Sequence, residues 1–152
     1  MKRFRFRLAG VLRLKQQKER QAELRARQAQ MVLESAELEA AALERRLVQN
    51  AAAVESYIGQ SVPPDSWMAR YQYVAMVGQA LESAESKMRQ AGRDLEQANL
   101  ARARIATETE ALAQLRQQDW QQHRVATQRA EQQQLDERVL LRWRLARASE
   151  GA

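Results

Sequence analysis

The 152-residue chain has no cysteine. That absence excludes disulfides, thiol chemistry and Cys-based metal sites, and it agrees with a reducing compartment. Proline (2) and glycine (5) are scarce, so helices have few places to stop. Aromatics make up 5% of the chain, and β-branched residues are too few and too scattered for a sheet. The one histidine, His123, lies among glutamines and reads as a solvated helix residue, which leaves no partner for a His-based triad or acid–base pair. Gly10, Gly59, Gly78, Gly92 and Gly151 stand far apart, so no phosphate-cradling loop exists. The neighbouring carboxylates Glu108/Glu110 and Asp136/Glu137 fall on exposed helix with nothing to desolvate them. No catalytic, cofactor or metal site is expected, and the chain reads as a non-enzyme.

Long apolar runs are also missing. None approaches the ~18 residues of a membrane span. LAGVL, broken by Arg13, Lys15 and Lys18, is too short for the roughly 7–15 apolar residues of an export signal. The expectation is a cytoplasmic protein without direct membrane insertion.

What remains is mainly Ala, Gln, Glu, Arg and Leu, the profile of a long helix or coiled coil. The net charge of +6 is unevenly placed. Residues 1–20 hold eight basic groups and one acid, a net of +7. The rest holds 17 basic and 18 acidic residues (25 less 8, 19 less 1), a net of −1. One end is basic, and the remainder is a charge-mixed solvated surface.

Helical signal breaks only at YIGQSVPPDSW. Gly59 suits a helix C-cap, Pro63 and Pro64 cannot continue a helix, and Asp65 or Ser66 can cap the next one. The pattern predicts a single coiled-coil domain over 1–152, with helices about 4–58 and 66–147 and a loop about 59–65. Alternating steps of three and four from Leu12 reach Leu12, Lys15, Glu19, Ala22, Ala26, Ala29, Leu33, Ala36, Ala40, Leu43, Leu47, Asn50, Val54 and Tyr57, mostly apolar. The same rule gives Val74, Val77, Leu81, Ala84, Met88, Ala91, Leu95, Ala98, Arg102, Ile105, Thr109 and Leu112. Two such seams joined by a short loop predict an all-α antiparallel coiled-coil hairpin.

A turn near residue 62 sets opposite positions summing to about 124, with Phe4 facing the neighbourhood of Trp120. Residues beyond about 121 are then an unpaired overhang, expected to fray unless a partner covers it. Phe4, Leu8, Val11 and Leu12 would open the seam stripe, leaving Phe6 and the arginines for a partner. Near the loop, Tyr57 and Trp67 are candidates to plug the hairpin end. Tyr71 and Tyr73 point to different faces, so at least one is exposed as a partner anchor.

FRFRLAGVLRLKQQKER, WMARYQYVAMVGQAL and EQQQLDERVLLRW, in this order on a two-helix layout, resemble the FliJ family of flagellar type III export proteins. The resemblance covers nearly the whole chain. It implies a stalk similar to the rotor stalk (gamma subunit) of rotary ATPases. Such a stalk inserts the end bearing both termini into the hexameric export ATPase and promotes its assembly and activity. It also contacts the cytoplasmic linker of the export gate, binds export chaperones, and associates peripherally with the inner-membrane apparatus of flagellum biogenesis. Carried over by motif, Phe4, Arg5, Phe6, Arg7, Leu8, Leu12, Leu135, Asp136 and Glu137 belong to the ATPase end. Tyr71, Tyr73, Val74 and Leu81 belong to the gate-facing side, where Gly78 departs from the bulky residue expected.

Three other readings compete. The stalk protein of a virulence secretion system would have the same architecture. A basic coiled coil on nucleic acid would use the N-terminal charge, but FRFR carries no recognisable motif and the helices are charge-balanced. A membrane-surface anchor would rest on only four apolar residues.

Overall fold

A computed structural model describes residues 3–150. It consists of two helices, α1 (Ala9–Glu55) and α2 (Pro64–Glu150), with no strand among the described residues. The fold is an all-α two-helix hairpin, as the heptads predict.

α1 starts at Ala9 rather than near residue 4. Its first turn has no acidic residue, and Arg3, Arg5 and Arg7 precede it. Positive charge at a helix N-terminus opposes the macrodipole, so helix there gains little. Residues 3–6 are instead irregular, and burial alternates: Arg3, Arg5 and Arg7 are exposed while Phe4 and Phe6 are half-buried. That is the period-two alternation of extended backbone. The helical stripe expected through Phe4, Leu8 and Val11 is therefore not formed. Leu8 and Val11 are exposed, and Phe6 is turned inward with Phe4.

α1 closes at Glu55, three residues before the expected end. Its last turns tighten through Tyr57 N–H to the Val54 carbonyl (3.0 Å) and Ile58 N–H to the Glu55 carbonyl (3.1 Å). Gly59 follows at φ 83°, the left-handed conformation that favours glycine after a helix. α2 starts earlier than expected because Pro64 is itself helical. Its fixed φ suits the first helical position, Ser66 N–H reaches the Pro63 carbonyl (3.1 Å), and Asp65 supplies negative charge in the first turn.

The contacts fall into two units: Lys18–Ile105, and Met1–Gln17 with Ala106–Ala152. Within Lys18–Ile105 the helices run antiparallel, with Lys87 reaching Glu39 at 3.5 Å. Ala40, Leu43, Val77 and Ala84 form the core, and Leu47 and Leu81 pack against it. Every seam position of α1 in this unit is buried or half-buried. On α2 only Val74 and Arg102 are exposed. Alanine knobs allow close approach but bury little area, at roughly 25 cal/mol per Å², so stabilisation is spread along the seam.

In the other unit Leu12 and Thr109 are buried, and Lys15 is ion-paired with Glu108. Phe4 meets His123 edge-on, with centroids 5.5 Å apart. Pairing therefore passes residue 121, and Thr127 and Glu131 are still half-buried. The extra reach has a simple cause: extended backbone advances about 3.3 Å per residue against 1.5 Å in a helix. From Gln132 to Arg147 every side chain is exposed, although α2 stays helical to Glu150.

Candidate functional site

Two regions carry the residues singled out from the sequence. The first lies in the unit containing both chain ends. The extended segment lays Phe4 and Phe6 inward, and a groove of about 270 Å³ is lined by both rings with Ala9, Leu12, Arg13, Gln16 and Arg116. Arg5 and Arg7 stand outward, Leu8 is partly exposed, and Leu12 is buried in the seam. His123 is thus not a freely solvated side chain; it supports the Phe4 ring. Its backbone carbonyl also accepts a hydrogen bond from Thr127 Oγ1 (2.8 Å).

Leu135, Asp136 and Glu137 all sit on the exposed stretch of α2. They begin twelve residues past His123, about 18 Å along the helix at 1.5 Å per residue. Asp136 accepts a hydrogen bond from Gln132 Nε2 (3.0 Å). The structure brings Phe4, Phe6 and Leu12 to one groove and places Leu135–Glu137 apart from them. Beyond lie Val139, Leu140, Leu141, Trp143 and Leu145, all exposed, with Arg147 stacked over the Trp143 ring at 4.5 Å. Large apolar side chains interleaved with arginines and covered by nothing form a surface suited to a protein partner.

The second region is beside the loop. Tyr57 and Trp67 meet edge-on at 5.9 Å and close the helix pair there. Tyr71 is 75% exposed, and Tyr73 and Val74 are partly exposed. Leu81 is half-buried against the core and contributes little outward surface. Arg70, one step of four ahead of Val74 in the same heptad frame and half-buried, organises this end. It donates to Asn50 Oδ1 (2.9 Å) and to the Tyr57 hydroxyl from Nη2 (2.7 Å) and Nε (3.2 Å). Asn50 and Arg70, polar residues on the two seam frames, are the sequence signal for this pairing. No group of three or more His, Cys, Asp or Glu side chains placed to hold a metal occurs among the described residues.

A sequence-family comparison decides the lineage: the family described as Flagellar FliJ protein matches residues 4–148. The chain belongs to the FliJ family. The match spans both regions just described, from Phe4 to beyond Leu145. No curated protein and no solved structure matches the chain. As a FliJ-family member it is a component of flagellar type III protein export. Among the described residues no helix is long and apolar enough to cross a membrane.

Proposed function

We propose that this FliJ-family protein is a stalk that docks its terminal unit into the hexameric export ATPase, promoting ring assembly and turnover. In this reading Arg5 and Arg7, with Arg3, steer the approach to an acidic surface of the ring. Leu135, Asp136, Glu137 and the apolar side chains beyond them supply the contact area. Phe4, Phe6 and Leu12 hold the basic segment in place beneath its arginines, and exposed Leu8 adds to the contact area. The loop-proximal face of Tyr71, Tyr73 and Val74, with Leu81 behind it, would contact the cytoplasmic linker of the export gate. Export chaperones would bind the same protein, which associates peripherally with the inner-membrane apparatus while remaining in the cytoplasm. It has no catalytic step of its own, and its role in motility and chemotaxis follows from assembly of the filament.

The observation that carries this reading is the uncovered apolar stretch from Leu135 to Leu145. A lone helix with such side chains in water is marginal and gains most when a ring encloses it. The test is turnover of the cognate export ATPase with and without the protein. Wild-type protein should raise turnover. The triple variant Arg3/Arg5/Arg7→Glu should fail to do so at unchanged helicity by circular dichroism, and full stimulation by that variant would refute the terminal docking end.

A further inference from the structure

α1 carries a second apolar stripe that its pairing with α2 leaves untouched. Leu24, Met31 and Leu38 recur at seven-residue intervals and are 57%, 68% and 68% exposed. At about 100° per residue they lie on the opposite side of α1 from the Ala26, Leu33 and Ala40 seam. Val32, also 57% exposed, widens the stripe on one flank. A solvated coiled-coil back face needs no large apolar side chains, and three consecutive heptads of them mark a seam for another helix.

We propose that the occupant is α1 of a second copy of this chain, paired antiparallel about a two-fold axis near residue 30. The charge pattern selects this partner. Residues 18–27 hold four basic and two acidic side chains, net +2, while residues 33–42 hold three acidic and no basic ones. Glu39 is already paired with Lys87 of α2, which leaves Glu34 and Glu37, net −2. Antiparallel pairing with positions summing to about 60 sets each basic segment against the other copy's acidic one, twice by symmetry. In-register parallel pairing sets like against like. Within this register Leu24 opposes Ser35 and Met31 opposes Gln28, so each layer matches a large apolar side chain with a smaller or polar one. Arg27 and Glu34 flank the stripe on one side, both exposed, and meet across the axis.

Gln28 and Ser35 thin this seam, and three heptads bury little surface. The dimer is therefore weak, with a dissociation constant on the order of tens of micromolar. It is independent of docking to an ATPase, because every residue involved lies within Lys18–Ile105.

Sedimentation equilibrium of the full chain tests it. Wild-type protein should pass from monomer to dimer with rising concentration, more readily at low salt. Met31→Glu should weaken association at least tenfold while leaving the circular dichroism spectrum unchanged, since residue 31 is solvent-facing in the monomer. The cysteine-free sequence allows an orientation test. Mixed Leu24→Cys and Ser35→Cys chains should form a heterodisulfide faster than either forms its own homodisulfide. A monomer at every concentration would assign the stripe to a partner of different sequence and overturn the proposal. Homodisulfides formed faster than the mixed product, or association indifferent to Met31→Glu, would overturn it equally.

Discussion

Arg70 lies over the ring of Tyr57, 4.8 Å from its centroid, and bonds both the Tyr57 hydroxyl and the buried Asn50 amide oxygen. One guanidinium thus joins the end of α1 to the start of α2. Arg70→Ala should destabilise the protein by about 1–3 kcal/mol, because it leaves the Asn50 oxygen buried without its partner. Arg70→Lys should recover less than half of that, since an ammonium cannot bond both acceptors in a planar fork. Chemical denaturation of the three proteins measures the difference.

Replacing Asn50 tests the same contact from the other side. Asn50→Leu fills a seam position with an apolar side chain but leaves half-buried Arg70 with only Tyr57 as partner, so the net change should stay within about 1 kcal/mol. The same change should loosen helix register, read as faster amide exchange near Tyr57 and Trp67.

Glycines inside α2 predict a stability gain. A Cβ at Gly78 or Gly92 would meet nothing within 4 Å. Gly78→Ala and Gly92→Ala should each raise stability by about 0.5–1 kcal/mol through helix propensity alone. Gly59→Ala should go the other way, costing about 1–2 kcal/mol at its left-handed φ of 83°. Thermal melts of the three variants check both signs.

The exposed end of α2 yields a separable prediction. From Gln132 to Arg147 no side chain is buried, so deleting residues 133–152 should shift the unfolding free energy by less than about 0.5 kcal/mol. The deletion should nevertheless remove stimulation of the export ATPase. Loss of stability in parallel with activity would argue against a docking role for this stretch.

Phe4 and His123 set up a local test at the other chain end. Phe4→Ala removes the ring that rests on His123 and should raise amide exchange over the first turn of α1 while leaving exchange around Ala84 unchanged.

Much of the hairpin was legible in the heptads because apolar spacing is enforced by burial. All fourteen positions stepped from Leu12 to Tyr57 are buried or half-buried, including the polar Lys15, Glu19 and Asn50. On α2 the frame failed at Val74, beside the loop, and at Arg102, whose long side chain stays in water. The chain start was misread because a helical stripe through Phe4, Leu8 and Val11 competes with an alternating reading of RFRFR, and spacing alone does not rank them. Electrostatics does: with no acid in the first turn, the segment remains extended and Phe4 reaches His123 instead of stopping near Trp120. The role of Arg70 was hidden because periodicity places it on the seam without saying that its guanidinium bonds Asn50 and covers the Tyr57 ring beyond the end of α1. The partner surfaces near Leu135 and Tyr71 came from motif likeness, since periodicity reports only which side chains pack within the chain.

The irregular backbone of residues 3–6 has a practical consequence. Proteases bind extended chain; exposed Arg3 and Arg5 lie within this segment, and exposed Arg7 follows in the turn just ahead of α1. Trypsin should clip here before it opens the helices. Protection of these bonds on adding a partner would then serve as a footprint of docking, readable by mass spectrometry without labelling the protein.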